Sequence, residues 1–155
     1  MVAYSFKRRF APPILMGAKA QTIRANRAGR SRHARAGEQL QLYIGMRTRH
    51  CRRLGVPACT AVVPVRLVFG PKGPAEFFQV DGALLPPARM DAFAREDGFQ
   101  SVEDMAAFWW AEHPGDGALL TFEGVLIRWQ PFSDPELLAE LTTTAANIDS
   151  LPEQS

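Results

Sequence analysis

Cysteine is scarce: Cys51 and Cys59 are the only two in 155 residues, too few to staple the fold and without the CxxC spacing of a structural zinc site. His50, Cys51 and Cys59 with His33 or His113 total four candidate ligands, but the HxE and PCxxC arrangement of zinc nucleoside deaminases is missing as well, so no metal and no cofactor is expected. No run of about 18 apolar residues exists to form a membrane-spanning helix. The first ten residues, MVAYSFKRRF, lack the apolar stretch of a signal peptide, and the expectation is a cytoplasmic chain with reduced thiols and no membrane partner. Internal repeats are missing too. What remains is ordinary for a globular protein: 46% hydrophobic and 22% charged residues in a length that suits one domain, which excludes disorder, collagen and coiled coil for the whole.

Acid is nearly missing from the first third. Residues 1–56 carry thirteen basic side chains, eleven of them arginine, against the single acid Glu38, a net +12, while residues 57–155 carry five basic and fifteen acidic ones, a net −10. Arginine forks match phosphates and stack on bases better than lysine does, so this division points to a polyanion as partner. The plainer alternative is that the basic third folds against the acidic remainder through internal ion pairs.

Strand signals dominate the middle of the chain. Residues 2–6 read as a short strand, and the Pro12-Pro13 pair opens a brief helix that stops near Gly17. Residues 19–24 are extended and residues 25–37, polar and basic without periodicity, form a mobile loop. Residues 38–44 alternate, with Leu40, Leu42 and Ile44 on one face and Tyr43 on the other. Residues 58–69 are the longest β-branched run, where Pro64, lacking an N–H, marks an edge or bulge. Residues 75–80 add a strand that ends at the turn pair Asp81-Gly82. Short helices follow over residues 87–96 and after Ser101, which can cap the second with Asp104 as its partner. Residues 118–129 supply the last strand, and one or two helical turns in DPELLAEL precede a polar tail. Strands do not alternate with helices of crossover length. The expected class is therefore α+β: a small β-barrel of five or six strands with two or three short helices, over residues 1–132, with residues 133–155 as a helical turn and disordered tail.

The ordered set KxxTIR (Lys19 to Arg24), a basic loop, GEQLQLYIG, a β-branched strand, AREDGF, a helix ending in FWW, and FEGVLIRW resembles the ASCH domain family, small barrels related to the PUA-like RNA-binding fold. The resemblance runs from about Phe6 to Trp129. It implies a cleft that accepts RNA or a modified nucleoside, and some small bacterial members are amidohydrolases that remove the acetyl group of 4-acetylcytidine. Carried over residue by residue, it makes Lys19 and Thr22 catalytic, with the acid falling on Asp97 or its neighbour Glu96.

Amide hydrolysis needs a nucleophile, a proton acceptor and charge for an oxyanion. Thr22 can be the nucleophile and Lys19 its base, provided that burial and the charges of Arg24, Arg8 or Arg9 lower the lysine pKa. Arg24 can then stabilise the oxyanion. Lys19 and Thr22 converge only if the backbone turns at Lys19, whereas Thr22 and Arg24 share a strand face in any case. Asp97-Gly98 also reads as a plain turn pair. Tyr43 is the candidate for base stacking, and Arg27, Arg47 and Arg49 are candidates for phosphate contacts. The leading expectation is a hydrolase of acylated cytidine. The alternatives are a non-catalytic RNA-binding module and a metal-independent ribonuclease.

Overall fold

The computed structural model describes residues 1–27, 32–71, 75–114 and 118–149. The chain is α+β and its strands form two sheets. The smaller has the order β1-β3-β4, with β1 (Val2–Phe6) parallel to β3 (Leu40–Ile44) and β4 (Arg52–Gly55) antiparallel to β3. The larger is antiparallel throughout, in the order β2-β8-β5-β6-β7, with β2 (Gln21–Ala25), β5 (Cys59–Phe69), β6 (Ala75–Val80), β7 (Ala83–Leu84) and β8 (Leu120–Trp129).

The barrel expected from the strand count is not closed by strand pairing among the described residues. At one side the sheets meet where β3 enters beside β5, through the bridge Gln39↔Ala58 and the bonds Gly37 N to Cys59 O (2.8 Å), Cys59 N to Glu38 O (2.7 Å) and Leu40 N to Pro57 O (2.8 Å). At the other side β1 and β2 leave their outer edges unpaired with each other. A side chain spans that seam instead: Arg24 on β2 donates from Nη2 to the carbonyl of Ser5 on β1 at 2.7 Å.

Local chemistry explains most elements. Pro12 and Pro13 open α1 (Ala11–Leu15) at positions where no N–H is needed. Asp81 and Gly82 both take positive φ, 52° and 81°, in the tight hairpin from β6 to β7. Pro64 lies inside a central strand, yet at the level where β6 has run out: Val65 pairs with Val80, and the Pro64 carbonyl accepts from Asp81 N at 2.9 Å. It is a local edge, as its missing N–H requires. Ser101 Oγ accepts from Asp104 N at 3.1 Å and caps α3 (Val102–Glu112), while Asp104 Oδ2 accepts from Gln100 N at 3.0 Å.

Two expectations are corrected. The C-terminal helix, α4 (Pro135–Asp149), is longer than two turns. It is docked: Leu137 is buried, Asp134 N bonds to Leu15 O at 2.9 Å, and the Phe132 ring lies where a Cβ on Gly55 would have to be. The rest of the expected tail, residues 150–155, lies outside the described residues. The described parts of the basic loop are held rather than loose. Arg32 makes a two-pronged pair with Glu38 at 2.6 and 2.8 Å, Arg35 N bonds to the same carboxylate at 2.7 Å, and buried Tyr4 accepts from Ala34 N at 3.1 Å. Arg30 lies outside the described residues.

The core fills the space between the sheets with Tyr4, Leu40, Leu42, Leu67, Leu126, Ile127 and Trp129, and α2 (Met90–Glu96) and α3 add Phe93 and Met105. Gly124 lets β2 approach β8, because a Cβ there would stand 2.2 Å from the Arg24 carbonyl oxygen. Gly124→Ala should therefore push the two strands apart and cost about 1–3 kcal/mol, read as a lowered midpoint in urea denaturation; an unchanged midpoint would contradict this packing.

Candidate active site

The seam between β1 and β2 opens into a cavity of about 380 Å³, within the range typical of small-molecule sites. Lys19, Thr22, Arg24 and Asp97 all line it, among the rings of Phe6, Phe10, Phe99, Phe108, Trp109 and Phe122.

Lys19 stands ahead of β2 in a linker clamped on both sides, with Lys19 N bonded to Pro13 O (2.9 Å) and Ala20 N to Glu96 O (3.2 Å). This clamp takes Lys19 out of the strand's alternation, so that it and Thr22 face one cavity. Lys19 is 2% exposed. Its Nζ donates to the carbonyls of Gln21 (2.7 Å) and Asp97 (2.5 Å), faces the Asp97 carboxylate at 3.7 Å, and lies over the rings of Phe10 (4.9 Å) and Phe6 (5.5 Å).

Asp97 owes its place to the end of α2. Gly98 N bonds to Arg95 O (3.0 Å) and Phe99 N to Ala94 O (2.9 Å), with Gly98 at φ +96°, the paired bonds of a Schellman ending. Asp97-Gly98 is thus a turn, as its residue types suggest, and the turn frees the Asp97 carbonyl for Lys19 and buries its carboxyl. Gly98 is also required by space, since a Cβ there would meet Lys19 Cδ at 2.7 Å. Of the two acids, Asp97 is buried and lines the cavity, and Glu96 is exposed and does not.

Burial pulls the Lys19 pKa down to about 8; the Asp97 carboxylate opposes this, and Arg24 and Arg9 reinforce it. Burial likewise pushes Asp97 up to about 6 against the pull of Lys19, a hydrogen bond from Gln21 and the charge of Arg24. The pair is thus doubly charged only in a window around neutrality.

Thr22 and Arg24 share the strand face: Arg24 Nε donates to Thr22 Oγ1 at 3.1 Å. The guanidinium stacks over Phe6 (4.9 Å) and Tyr4 (5.4 Å) and is held by Ser5 O, which leaves Nη1 without a hydrogen-bond partner among the described residues.

Other expected residues are elsewhere. Arg9 pairs with Asp104 at 2.8 Å and covers Phe99 at 5.1 Å, near the site but outside the cavity wall. Arg8 lines a neighbouring hollow. Tyr43 sits on the central strand of the small sheet between Ser5 and Arg53 and reaches neither. Arg27 is spent on Arg32 O (2.9 Å) and the Tyr4 ring (5.2 Å), and Arg47 and Arg49 are exposed on the turn after β3. Among the described residues no three His, Cys, Asp or Glu side chains gather in a metal-binding group.

Sequence reasoning missed three features of the site. Gln21, 1% exposed, donates to the Asp97 carboxylate at 3.4 Å. Lys7 and Glu112 form an ion pair at 2.5 Å between two residues of the cavity wall. His113 stacks on Trp109 at 5.1 Å and donates from Nδ1 to its carbonyl at 3.1 Å, which leaves Nε2 as an acceptor. The polar character of Gln21 between Ala20 and Thr22 was a signal; the other two depend on contacts about 100 residues apart or on a helix end.

The buried pair should shape stability against pH. Between about 8 and the ordinary 10.5 the unfolded chain keeps a proton that folded Lys19 has released, so stability rises with pH there. Between the ordinary 3.8 and about 6 folded Asp97 keeps a proton that the unfolded chain has lost, so stability falls as pH rises. Urea denaturation across pH should show both limbs, and the Lys19→Met, Asp97→Leu double variant should flatten them; limbs of opposite sign would contradict the burial of the pair.

Comparison with family models, curated proteins and solved structures finds no match to this chain.

Proposed function

We propose that the chain is an ASCH-like protein that takes the base of an acylated cytidine into this cavity and hydrolyses the acyl amide. One observation carries the reading: Lys19, Thr22, Arg24 and Asp97 share the wall of a single aromatic-lined cavity, although they come from a linker, one strand and the end of a helix. Aromatic walls suit a flat heterocycle, and the charged end supplies acid–base groups.

The proposed chemistry uses Lys19 as base and Thr22 as nucleophile, two residues of one cavity wall. With a pKa of about 8, roughly a tenth of Lys19 is neutral at pH 7, enough for a general base. Thr22 Oγ attacks the acyl carbonyl as its proton passes to Lys19 Nζ, and the Arg24 donor aids the oxyanion that forms. The C–N bond then breaks, the exocyclic nitrogen takes the proton from Lys19, and the base leaves with a free amine. Water, deprotonated by Lys19, attacks the acyl carbon of the Thr22 ester; the bond to Oγ breaks, Oγ takes the proton back from Lys19, and the acyl group leaves as a carboxylic acid. Asp97 and Gln21 hold the lysine; they do not touch the substrate.

A second reading rests on Lys19 itself. Two of its donors are already taken by carbonyls and its third side faces Asp97, an arrangement that also suits a lysine that only orders the floor of a nucleoside-binding pocket. Turnover of 4-acetylcytidine, followed by loss of its absorbance band, decides between them. Hydrolysis should rise with pH and level off above about 8, and Lys19→Ala and Thr22→Ala should each lower the rate at least about 100-fold in folded protein. Binding of the nucleoside without turnover would leave the pocket and remove the catalysis.

A further inference from the structure

A second hollow, of about 510 Å³, adjoins the first and shares Ser5, Phe6 and Lys7 with it. The remainder of its wall is Arg8, Ile44, Gly45, Met46 and His50. The two hollows differ in charge. The first sets Lys7, Lys19 and Arg24 against Asp97 and Glu112, whereas the second carries Lys7 and Arg8 with no acidic residue in its wall.

The turn beside it is built to present cations. Thr48 Oγ1 donates to Gly45 O (2.6 Å) and accepts from His50 N (3.1 Å), and a Cβ on Gly45 would meet His50 O at 2.8 Å. This folded turn holds Arg47 at φ +68°, a conformation L side chains rarely adopt, and sets Arg47 and Arg49 outward. Arg49 Nε donates to His50 Nε2 at 3.3 Å, so the His50 proton lies on Nδ1, which has no acceptor among the described residues. Arg8, Arg47 and Arg49 have no carboxylate partner among the described residues, unlike Lys7, Arg9, Arg32 and Arg52. A run of arginines that the fold leaves unneutralised, beside a hollow without acid, fits a phosphodiester.

We propose that this hollow is a phosphate subsite next to the base cavity, and that the ligand of the combined site is a nucleotide within a single-stranded nucleic acid rather than a free nucleoside. The proposal rests on reading the first cavity as a base pocket. The base enters past Lys7, and the phosphate joining it to its neighbour lies against Arg8, His50 and the Arg47–Arg49 turn.

The test compares cytidine, cytidine monophosphate and a short oligocytidylate, by calorimetry and fluorescence anisotropy over a range of salt. The oligonucleotide should bind tightest, with Arg8→Ala and Arg49→Ala each cutting its preference over cytidine about 3- to 10-fold and reducing the log–log salt slope by about 0.7. Arg95→Ala, exposed on α2 and outside both hollows, is the control and should change neither. Equal affinity for cytidine and oligonucleotide, or slopes unmoved by both variants, would overturn the subsite while leaving the base pocket standing. A monophosphate that binds as tightly as the oligonucleotide would overturn the polymer assignment. Oligonucleotide binding that depends on Arg8 and Arg49 in a protein that does not bind cytidine would uphold the subsite and remove the base pocket instead.

Discussion

The site depends on the burial of one ammonium group. Lys19 and Asp97 are both almost fully enclosed, and two charges can stay there only because each is met by the other and by fixed dipoles. The surrounding fold supplies those partners. The Schellman ending of α2 turns the Asp97 carbonyl toward Nζ, the first residue of β2 offers the Gln21 carbonyl, and the Gln21 amide steadies the carboxylate. Gly98 has no side chain to fill the space the lysine stem occupies. Without this pair the linker between α1 and β2 would be left with its backbone bonds alone, Lys19 N to Pro13 O and Ala20 N to Glu96 O.

The second constraint is the seam between the sheets. In an antiparallel or parallel ladder, backbone groups satisfy each other along the whole edge. Here β1 and β2 stay apart, bridged by the Arg24 guanidinium at Ser5 and by the His33 ring, which bonds the Tyr4 hydroxyl at 2.9 Å and the Ala25 carbonyl at 2.7 Å. The gap is the entrance to the cavity, so the failure of the barrel to close and the existence of the site are one fact. The unequal use of the arginines follows from the same geometry. Arg24 is consumed by the seam and Arg32 by Glu38, while those on the outer turn after β3 face solvent. The internal ion-pair reading of the charge division holds in part: Lys7, Arg9, Lys19 and Arg52 pair with the acidic remainder, and the turn arginines do not.

Much of this was legible in the sequence where one residue type has one local reason to be there. The β-branched run became β5, Asp81-Gly82 became the hairpin turn, and Ser101 became a cap. Lys19, Thr22, Arg24 and Asp97 were named from spacing and resemblance, and they share a cavity wall. What escaped depends on contacts distant in sequence. β4, with RRLG, has no strand pattern of its own and exists by pairing with β3. The length of α4 follows from docking on α1 rather than from propensity. Tyr43 looked suited to stacking because it sits on the polar side of its strand, yet it lines neither hollow. Asp97 could not be separated from Glu96 until the turn at Gly98 showed which one points inward.

The central claim is that the Lys19 ammonium is buried beside Asp97 with its proton loosened, and NMR of nitrogen-15-labelled lysine reports on it directly. The account predicts one lysine Nζ resonance that titrates near 8, disappears in Lys19→Met, and moves to still lower pH in Asp97→Asn, where the carboxylate no longer holds the charge. A Lys19 resonance that titrates at the ordinary value near 10.5, unmoved by Asp97→Asn, would contradict it.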